Sequence, residues 1–269
     1  MDLGLAGRRA IVTGGTRGIG RAIAFALAAE GCDVAVCARS EPDVRTTVEA
    51  LAATGRRAFG EQVDVTDPEA LRAFVDNAAE AFGGLELLVA SAGALAGGPQ
   101  LAAIGPDDWR FTLDINITHP AIAARTAQPW MVRSGGGAML FISSIAGMHP
   151  WTRPHYGAAK SACIHLAGSL ARELGPHNIR VNALSPGSIL FPGSAWEGVK
   201  AKDEAAFARW ERAEFPLGRL GTDHEVADVA LFLLSDRAAW VTGVNVPVDG
   251  GQNPPNMVTE QPLPGRWRT

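Results

Sequence analysis

The sequence has one tyrosine, three cysteines, no apolar run near the length of a membrane span and no block of basic residues. A membrane-spanning helix needs about 20 consecutive apolar residues, so we expect no membrane association of this kind. Without a basic block, we expect no binding to nucleic acid or to an anionic membrane surface. Of the 269 residues, 47% are hydrophobic and 19% charged, and the net charge is −4 at pH 7. These proportions are typical of a soluble α/β enzyme.

The cysteines and the amino terminus bear on the cellular compartment. Cys32, Cys37 and Cys163 are odd in number and lack the spacing of metal ligands, which is typical of small buried hydrophobes in a reducing environment. Residues 1–5 have neither the basic start nor the apolar stretch of a signal peptide. We therefore expect a cytoplasmic protein without a metal site.

Short apolar segments alternate with alanine-rich segments along the chain. This alternation predicts a single-domain α/β fold over residues 1–251: a Rossmann-like, doubly wound parallel sheet of about seven strands with helices on both faces. A proline-rich tail, 252–269, follows. Ligands of such sheets bind beyond the carboxyl ends of the strands. The predicted strands lie near 9–13, 33–38, 57–63, 86–90, 137–143, 179–184 and 244–248, and the predicted helices near 19–30, 41–54, 67–82, 107–133, 155–175 and 224–235.

Residues 188–218, here called the lid segment, break the alternation. They begin with an apolar stretch that contains Phe191 and Trp196 and continue as a charged helical stretch to Trp210. We predict a small insertion that covers a substrate; the alternative is a surface helical hairpin without lid motion. Phe191, Trp196 and Trp151 suggest an apolar pocket, or else only the packing core of the insertion.

A glycine-rich turn follows the first predicted strand. It runs from Thr13 to Gly20 and leads into an alanine-rich helix, the order found in dinucleotide-binding units. Gly14 allows a sharp turn, Gly18 lets the backbone approach a pyrophosphate, and Gly20 lets helix and strand pack closely. The N–H groups of the first helical turn then face the phosphates.

The single tyrosine, Tyr156, lies four residues before Lys160. Residues at this spacing share one face of a helix. A cation held beside a phenol favours the phenolate, which makes the pair an acid/base suited to an alcohol oxygen. Taken alone, the pair is more often a packed tyrosine beside a solvated lysine.

Taken together, these two motifs resemble those of the short-chain dehydrogenase/reductase family. The resemblance extends from about residue 5 to residue 251. It implies an oxidoreductase that transfers a hydride between a nicotinamide cofactor and a ketone or secondary alcohol of small size. Further matches follow in the family's order: Asp64-Val65, Ala92-Gly93, Asn116, Ser144 to Gly147, Ser185 to Gly187, and Val248 to Gly251.

The resemblance implies four catalytic residues. Tyr156 would be the general acid/base, and Ser144 would hydrogen-bond the reacting oxygen. Lys160 would assist the tyrosine and bind the nicotinamide ribose, and Asn116 would hold a water that links Lys160 to solvent. Ser143 is the alternative to Ser144, although strand alternation turns it to the other face.

The resemblance also implies a cofactor site, with NADP(H) preferred to NAD(H). An NAD enzyme carries an acid at the end of its second strand, where this chain has Ala38. Arg39 follows, Arg17 lies in the glycine-rich turn, and two guanidinium groups suit a 2′-phosphate. The alternative is that Arg39 stacks on adenine while NAD is used. The implied cofactor-binding residues are Gly14, Thr16, Arg17, Gly18, Ile19, Gly20, Arg39, Asp64, Val65, Ala92, Gly93, Tyr156, Lys160, Pro186, Gly187 and Ile189.

The chain departs from the family at two places. Ala90-Ser91-Ala92-Gly93 stands where Asn-Asn-Ala-Gly is usual, and we expect altered local stability without loss of the cofactor. Phe191 stands where the family often has a threonine that bonds the nicotinamide carboxamide. Ser188 or the backbone of Ile189 would then make that contact.

Other functions and partners stay open. A redox sensor that binds NADP without turnover would not need Ser144, Tyr156 and Lys160. The sugar-nucleotide epimerase branch needs more chain after residue 188 than is present. An acyl-carrier-protein substrate is about as well supported as a small hydrophobic ketone or cyclic alcohol. A homotetramer or homodimer is implied by helices 107–133 and 155–175, with alanines for close packing at Ala158, Ala162, Ala167 and Ala171; packing within one subunit is the alternative.

Overall fold

A computed structural model describes residues 2–252, so all of the predicted tail except Gln252 lies outside the described residues. Its strands are β1 (Arg9–Thr13), β2 (Asp33–Ala38), β3 (Ala58–Gln62), β4 (Leu87–Ala90), β5 (Gly137–Ile142), β6 (Ile179–Pro186), β7 (Ile189–Leu190), β8 (Gly221–Thr222) and β9 (Asn245–Val248). Seven of them form one sheet in the order β3-β2-β1-β4-β5-β6-β9, with every neighbouring pair parallel. The strand order reverses between β1 and β4, which is where such sheets bind ligands.

The helices follow the predicted alternation. They are α1 (Gly18–Ala29), α2 (Glu41–Ala52), α3 (Pro68–Phe82), α4 (Pro106–Leu113), α5 (His119–Arg133), α6 (Pro154–Leu174), α7 (Ala195–Lys202), α8 (Glu204–Glu214) and α9 (Asp223–Leu234). Side-chain caps explain several starts: the Asp67 carboxylate accepts the Glu69 N–H at the start of α3, and Thr222 with Glu225 forms a capping box at α9.

Helices pack on both faces of the sheet. In β1, Ile11 belongs to an apolar layer that also contains Phe74 and Phe141, while its neighbour Val12 belongs to a second layer with Ile23. Successive side chains of a strand point to opposite faces, so a strand covered on both sides is apolar throughout. This arrangement confirms the predicted doubly wound α/β fold.

The predicted helical stretch over 107–133 is confirmed, since residues 106–133 are helical without interruption, but a π-helical turn at Asp114–Thr118 lies between α4 and α5. The His119 N–H bonds the carbonyl of Asp114, five residues back, rather than that of Ile115. Pro120 then has no N–H to give. The turn brings Asn116 to the surface of α6, and polar π-helical turns of this kind are frequent at functional sites.

The lid segment has a small apolar core of its own. α7 and α8 pack through Trp196, Phe207 and Trp210, and the rings of Trp196 and Trp210 stack with centroids 4.9 Å apart. Phe215 and Leu220 complete this cluster. Trp196 is therefore part of the packing core of the insertion, the alternative interpretation of this residue, and its assignment to a substrate pocket stays a prediction.

The alanines assigned to a subunit contact divide between two surroundings. Ala167 and Ala171 are buried in the core of their own subunit, which corrects that assignment for these two, whereas Ala158 is exposed.

Among residues 2–252, no helix combines the length and the apolar character that crossing a bilayer requires.

Candidate active site

The predicted site residues gather at the carboxyl ends of β1, β4, β5 and β6. Gly14, after β1, lies directly against Ala92, after β4: a Cβ on Gly14 would come within 2.8 Å of the Ala92 Cα atom. Gly14 also has a φ of 67°, which favours glycine. These two positions form the floor of a cleft at the point where the strand order reverses.

The amino terminus of α1 is open toward this cleft. In the described part of the chain, Arg17 supplies no side-chain cap to α1, and its first turn holds no acidic residue. By contrast, Ser40 and Asp67 cap α2 and α3. The first N–H groups of α1 are thus available to an anion, as a pyrophosphate site requires.

Phe191 contacts the glycine-rich turn, which sequence reasoning missed. A Cβ on Gly18 would lie 2.7 Å from two carbons of the Phe191 ring. The absence of a side chain at Gly18 was predicted to let a pyrophosphate approach the backbone. In the structure it also lets the Phe191 ring pack against this turn. The lid segment therefore touches the predicted cofactor site directly.

Tyr156 and Lys160 lie one helical turn apart on α6, as predicted. The Lys160 Nζ atom is 5.8 Å from the centroid of the Tyr156 ring and donates a 2.8 Å hydrogen bond to the Ile142 carbonyl at the end of β5. Lys160 is only 4% exposed, so the packing around it and the bond to Ile142 together fix the position of its Nζ atom.

The two serines after β5 face different surroundings. Ser143 is buried and donates to the carbonyl oxygen of Lys160 at 2.8 Å, behind the cleft. Ser144 is half-buried, and its Oγ accepts the Ala146 N–H at 3.2 Å, which leaves its own hydrogen available to donate. Of the two, Ser144 has the geometry of a donor toward a bound oxygen.

Asn116 lies in the π-helical turn beside Lys160. Its Nδ2 atom donates to the carbonyl oxygens of Thr112 and Ala94, whereas its buried Oδ1 has no hydrogen-bond partner among residues 2–252. A Cβ on Gly93 would lie 3.0 Å from that Oδ1 and 3.3 Å from the Lys160 Nζ atom. An unpaired acceptor and a buried ammonium thus flank the same glycine.

Arg39 is exposed directly after β2, and Arg17 is exposed in the turn between β1 and α1. Burial tends to raise the pKa of Asp64, but hydrogen bonds from the Thr66 N–H and hydroxyl, together with the charge of Arg39, hold it below its ordinary value. Gln62 donates to the Arg39 carbonyl at 2.9 Å and fixes this stretch of backbone. The end of β2 and the end of β3 therefore bring one ionised carboxylate, Asp64, near one guanidinium group, Arg39.

The turn after β6 is tied to the lid segment through Gln252. The Ser188 N–H donates to Gln252 Oε1 at 2.9 Å, and Gln252 Nε2 donates to Glu214 Oε1, at the end of α8, at 3.3 Å. The backbone N–H of Ser188 is therefore already used, which leaves its hydroxyl and Ile189 for the predicted cofactor contact. Gly187 has no room for a side chain beside Asp249.

Several predicted cofactor residues are placed by packing rather than by polar contacts. Val65 and Ile189 are buried in the two apolar layers, Ile19 packs against one of them, and Thr16 is half-buried in the turn. Position 20 accepts only glycine, because a Cβ there would clash with the Gly14 carbonyl oxygen.

Sequence reasoning also missed His119, which is buried behind the cleft and belongs to no sequence motif.

Comparisons with known proteins identify relatives that match nearly the whole chain. The family model described as Enoyl-(Acyl carrier protein) reductase matches residues 14–253. The chain is 36% identical, over 93% of its length and 95% of the relative's, to trans-4-hydroxycyclohexanecarboxylate dehydrogenase of Sinomonas cyclohexanicum. L-sorbose reductase from Gluconobacter frateurii, solved with NADPH and L-sorbose, superposes with a TM-score of 0.87 at 32% identity, covering 94% of this chain and 98% of that one. A 7α-hydroxysteroid dehydrogenase, solved with NADH and 7-oxo glycochenodeoxycholic acid, gives 0.85 at 32% identity, with 94% and 97% coverage.

Proposed function

The chain belongs to the short-chain dehydrogenase/reductase family, whose members are oxidoreductases that act on alcohol and ketone groups, and on that premise we propose that it transfers a hydride between NADP(H) and a ketone or secondary alcohol. The observation that carries the proposal is the convergence of Tyr156, Lys160 and the unpaired Asn116 Oδ1 beside Gly93. Burial of an ammonium and of an acceptor without a hydrogen-bond partner lowers the stability of the fold, which indicates that both groups bind a ligand or a water.

The residues present fit a dinucleotide. The open N–H groups of α1 would hold a pyrophosphate, and Gly14 and Gly93 keep the cleft floor free of side chains. Lys160 would hydrogen-bond the nicotinamide ribose. When bound, the nicotinamide would supply or accept the hydride.

Proton transfer is assigned to the chain's own side chains. Tyr156 would give its phenolic proton to a ketone oxygen, or take one from an alcohol. The Ser144 hydroxyl would donate to the same oxygen and stabilise the charge that develops there. The unpaired Oδ1 of Asn116 in this turn would accept a hydrogen bond from a water that passes protons to Lys160.

NADP(H) is preferred in this proposal because Ala38 stands at the end of β2 in place of an acid, Arg39 is exposed directly after it, and Arg17 is exposed in the glycine-rich turn. The solved relatives include three complexes with NADPH and one with NADH, so relatedness alone does not decide which nucleotide this chain uses. For the substrate we favour a cyclic alcohol or ketone, a class supported by the cyclohexane ring in the name of one relative.

The test compares wild type with Tyr156→Phe. NADPH and NADH are titrated by fluorescence, and turnover is then measured on a panel of cyclic alcohols and ketones at several pH values. We expect both proteins to bind NADPH and the variant to lose about 10²- to 10⁴-fold in kcat. Equal turnover in the variant would remove Tyr156 from the mechanism, and absence of nucleotide binding in wild type would overturn the proposed function.

A further inference from the structure

His119 is the first residue of α5 and is completely buried behind the end of β1. Both ring nitrogens have partners: Nδ1 lies 3.1 Å from the Ile115 carbonyl oxygen, and Nε2 lies 2.9 Å from Thr13 Oγ1. The ring thus connects the π-helical turn that carries Asn116 to the last residue of β1, directly before the glycine-rich turn.

The partners determine which nitrogen carries the hydrogen. The His119 N–H bonds Asp114, so the Ile115 carbonyl lacks its usual helical donor. A carbonyl can only accept, and the ring therefore donates from Nδ1. Burial, reinforced by the charge of Lys160 and opposed by the Ile115 hydrogen bond, lowers the pKa of His119 to about 4. In the neutral ring Nε2 is an acceptor, and it receives the hydrogen of Thr13.

The orientation of the Thr13 hydroxyl matters for the floor of the cleft. With its hydrogen directed to His119, the Thr13 oxygen is free to accept the N–H groups of Ser91 at 3.1 Å and Ala92 at 3.4 Å. The alternative acceptor for that hydrogen is the Val89 carbonyl at 3.5 Å. Ser91 and Ala92 begin the segment that closes against Gly14.

We propose that His119 is a positioning residue for the cofactor site. It orients the Thr13 hydroxyl, which in turn holds Ser91 and Ala92 against the glycine-rich turn, at a place where this chain lacks the two asparagines usual in the family. The inference rests on the proposed function, because it assigns a purpose to the cleft floor as a nucleotide support.

Three substitutions separate the two hydrogen bonds of the ring. His119→Asn retains a donor for the Ile115 carbonyl, as Asn116 does for the carbonyl of Thr112 four residues back, but is too short to reach Thr13. His119→Gln retains an acceptor at the distance of Nε2. His119→Phe retains volume and neither bond.

NADPH affinity of the full-length variants is measured by fluorescence titration, with thermal unfolding as a check on folding. We expect the Asn and Phe variants to bind NADPH about three- to tenfold more weakly, and the Gln variant to stay within about twofold of wild type. In turnover assays, the Asn variant should show a raised KM for NADPH with kcat unchanged, since the contact supports binding and not chemistry.

Thr13→Val tests the same link from its other end. It should weaken NADPH binding at least as much as His119→Asn does, because it removes the acceptor for Ser91 and Ala92 together with the bond to His119. The double variant should be no weaker than Thr13→Val alone, because His119 acts through the Thr13 hydroxyl. Additive losses, NADPH binding by His119→Asn equal to wild type, or a Gln variant as weak as the Asn variant would each overturn the inference. Failure of wild type to bind any nucleotide would instead overturn the proposed function.

Discussion

Ser143 and Ser144 are adjacent residues whose side chains meet different partners. Ser144→Ala removes a hydroxyl that faces the cleft, so we expect kcat/KM to fall about 10²-fold with little change in thermal stability. Ser143→Ala is the matched control: it removes a buried bond to the Lys160 carbonyl and should cost about 1 kcal/mol of unfolding free energy while retaining turnover. Steady-state kinetics and urea unfolding of both variants separate the two roles. The reverse pattern would move the assignment to Ser143.

Arg17 and Arg39 govern the expected choice of nucleotide. If they bind a 2′-phosphate, the double variant Arg17→Ala/Arg39→Ala should raise the KM for NADPH at least about tenfold per arginine and change the KM for NADH little. Arg72→Ala is the control, since this arginine pairs with Glu69 on the surface of α3. Equal changes in the KM values for NADPH and NADH would show that the two arginines do not bind the 2′-phosphate.

At the scale of elements, Phe191 joins the lid segment to the glycine-rich turn. Phe191→Ala removes the ring that packs on Gly18, so we expect the lid segment to hold the turn less firmly and bound NADPH to dissociate several-fold faster, on the order of the loss of one apolar contact. Stopped-flow displacement measures the rate. Phe232→Ala, a partly exposed phenylalanine on α9, is the matched control. An unchanged or slower dissociation rate would contradict this coupling.

Elements were predictable where the chain carries a local signal. All seven strands of the main sheet lie within two residues of their predicted bounds, because strands buried on both faces are continuously apolar. The starts of α3 and α9 lie within one residue of the predicted starts, next to the caps Asp67 and Thr222. The π-helical turn before α5 was not predicted, since Pro120 is compatible with the first turn of a helix and gives no unique signal for a π-helical turn.

Site residues divide in the same way. The glycine-rich turn and the Tyr156–Lys160 spacing are sequence-local, and the structure brings them to the same cleft. His119, Gln252 and the Phe191–Gly18 contact depend on residues far apart in the chain, and only tertiary packing brings them together. Catalytic roles, the cytoplasmic location and a homodimer or homotetramer stay predictions.

At the scale of the whole molecule, buried His119 should make folding sensitive to acid. Its pKa is about 4 in the folded protein against 6.5 for a free histidine. Between these values the unfolded chain binds the extra proton, so stability is complete above about pH 6.5 and falls by about 1.4 kcal/mol per pH unit from this residue as the pH drops toward 4. His119→Gln should reduce that slope.

Urea unfolding of wild type and His119→Gln at pH 7, 5.5 and 4.5 measures the effect. Glu225 is a separate contributor: hydrogen bonds from Arg219 lower its pKa to about 2, so its own effect belongs to more acidic solutions. Parallel stability curves for the two proteins between pH 6.5 and 4.5 would show that His119 is not the group responsible.

The aromatic cluster of the lid segment is separate from the two apolar layers of the main sheet, and this separation affects which positions can change during evolution. Trp196, Phe207, Trp210 and Phe215 stabilise one another, and the main sheet supplies none of these rings. Mutations within this aromatic cluster should therefore disturb the main sheet little, whereas changes at Phe191, which contacts Gly18, should reach the predicted nucleotide site. We expect sequence variation that alters substrate range to concentrate in the cluster, with Phe191 held constant.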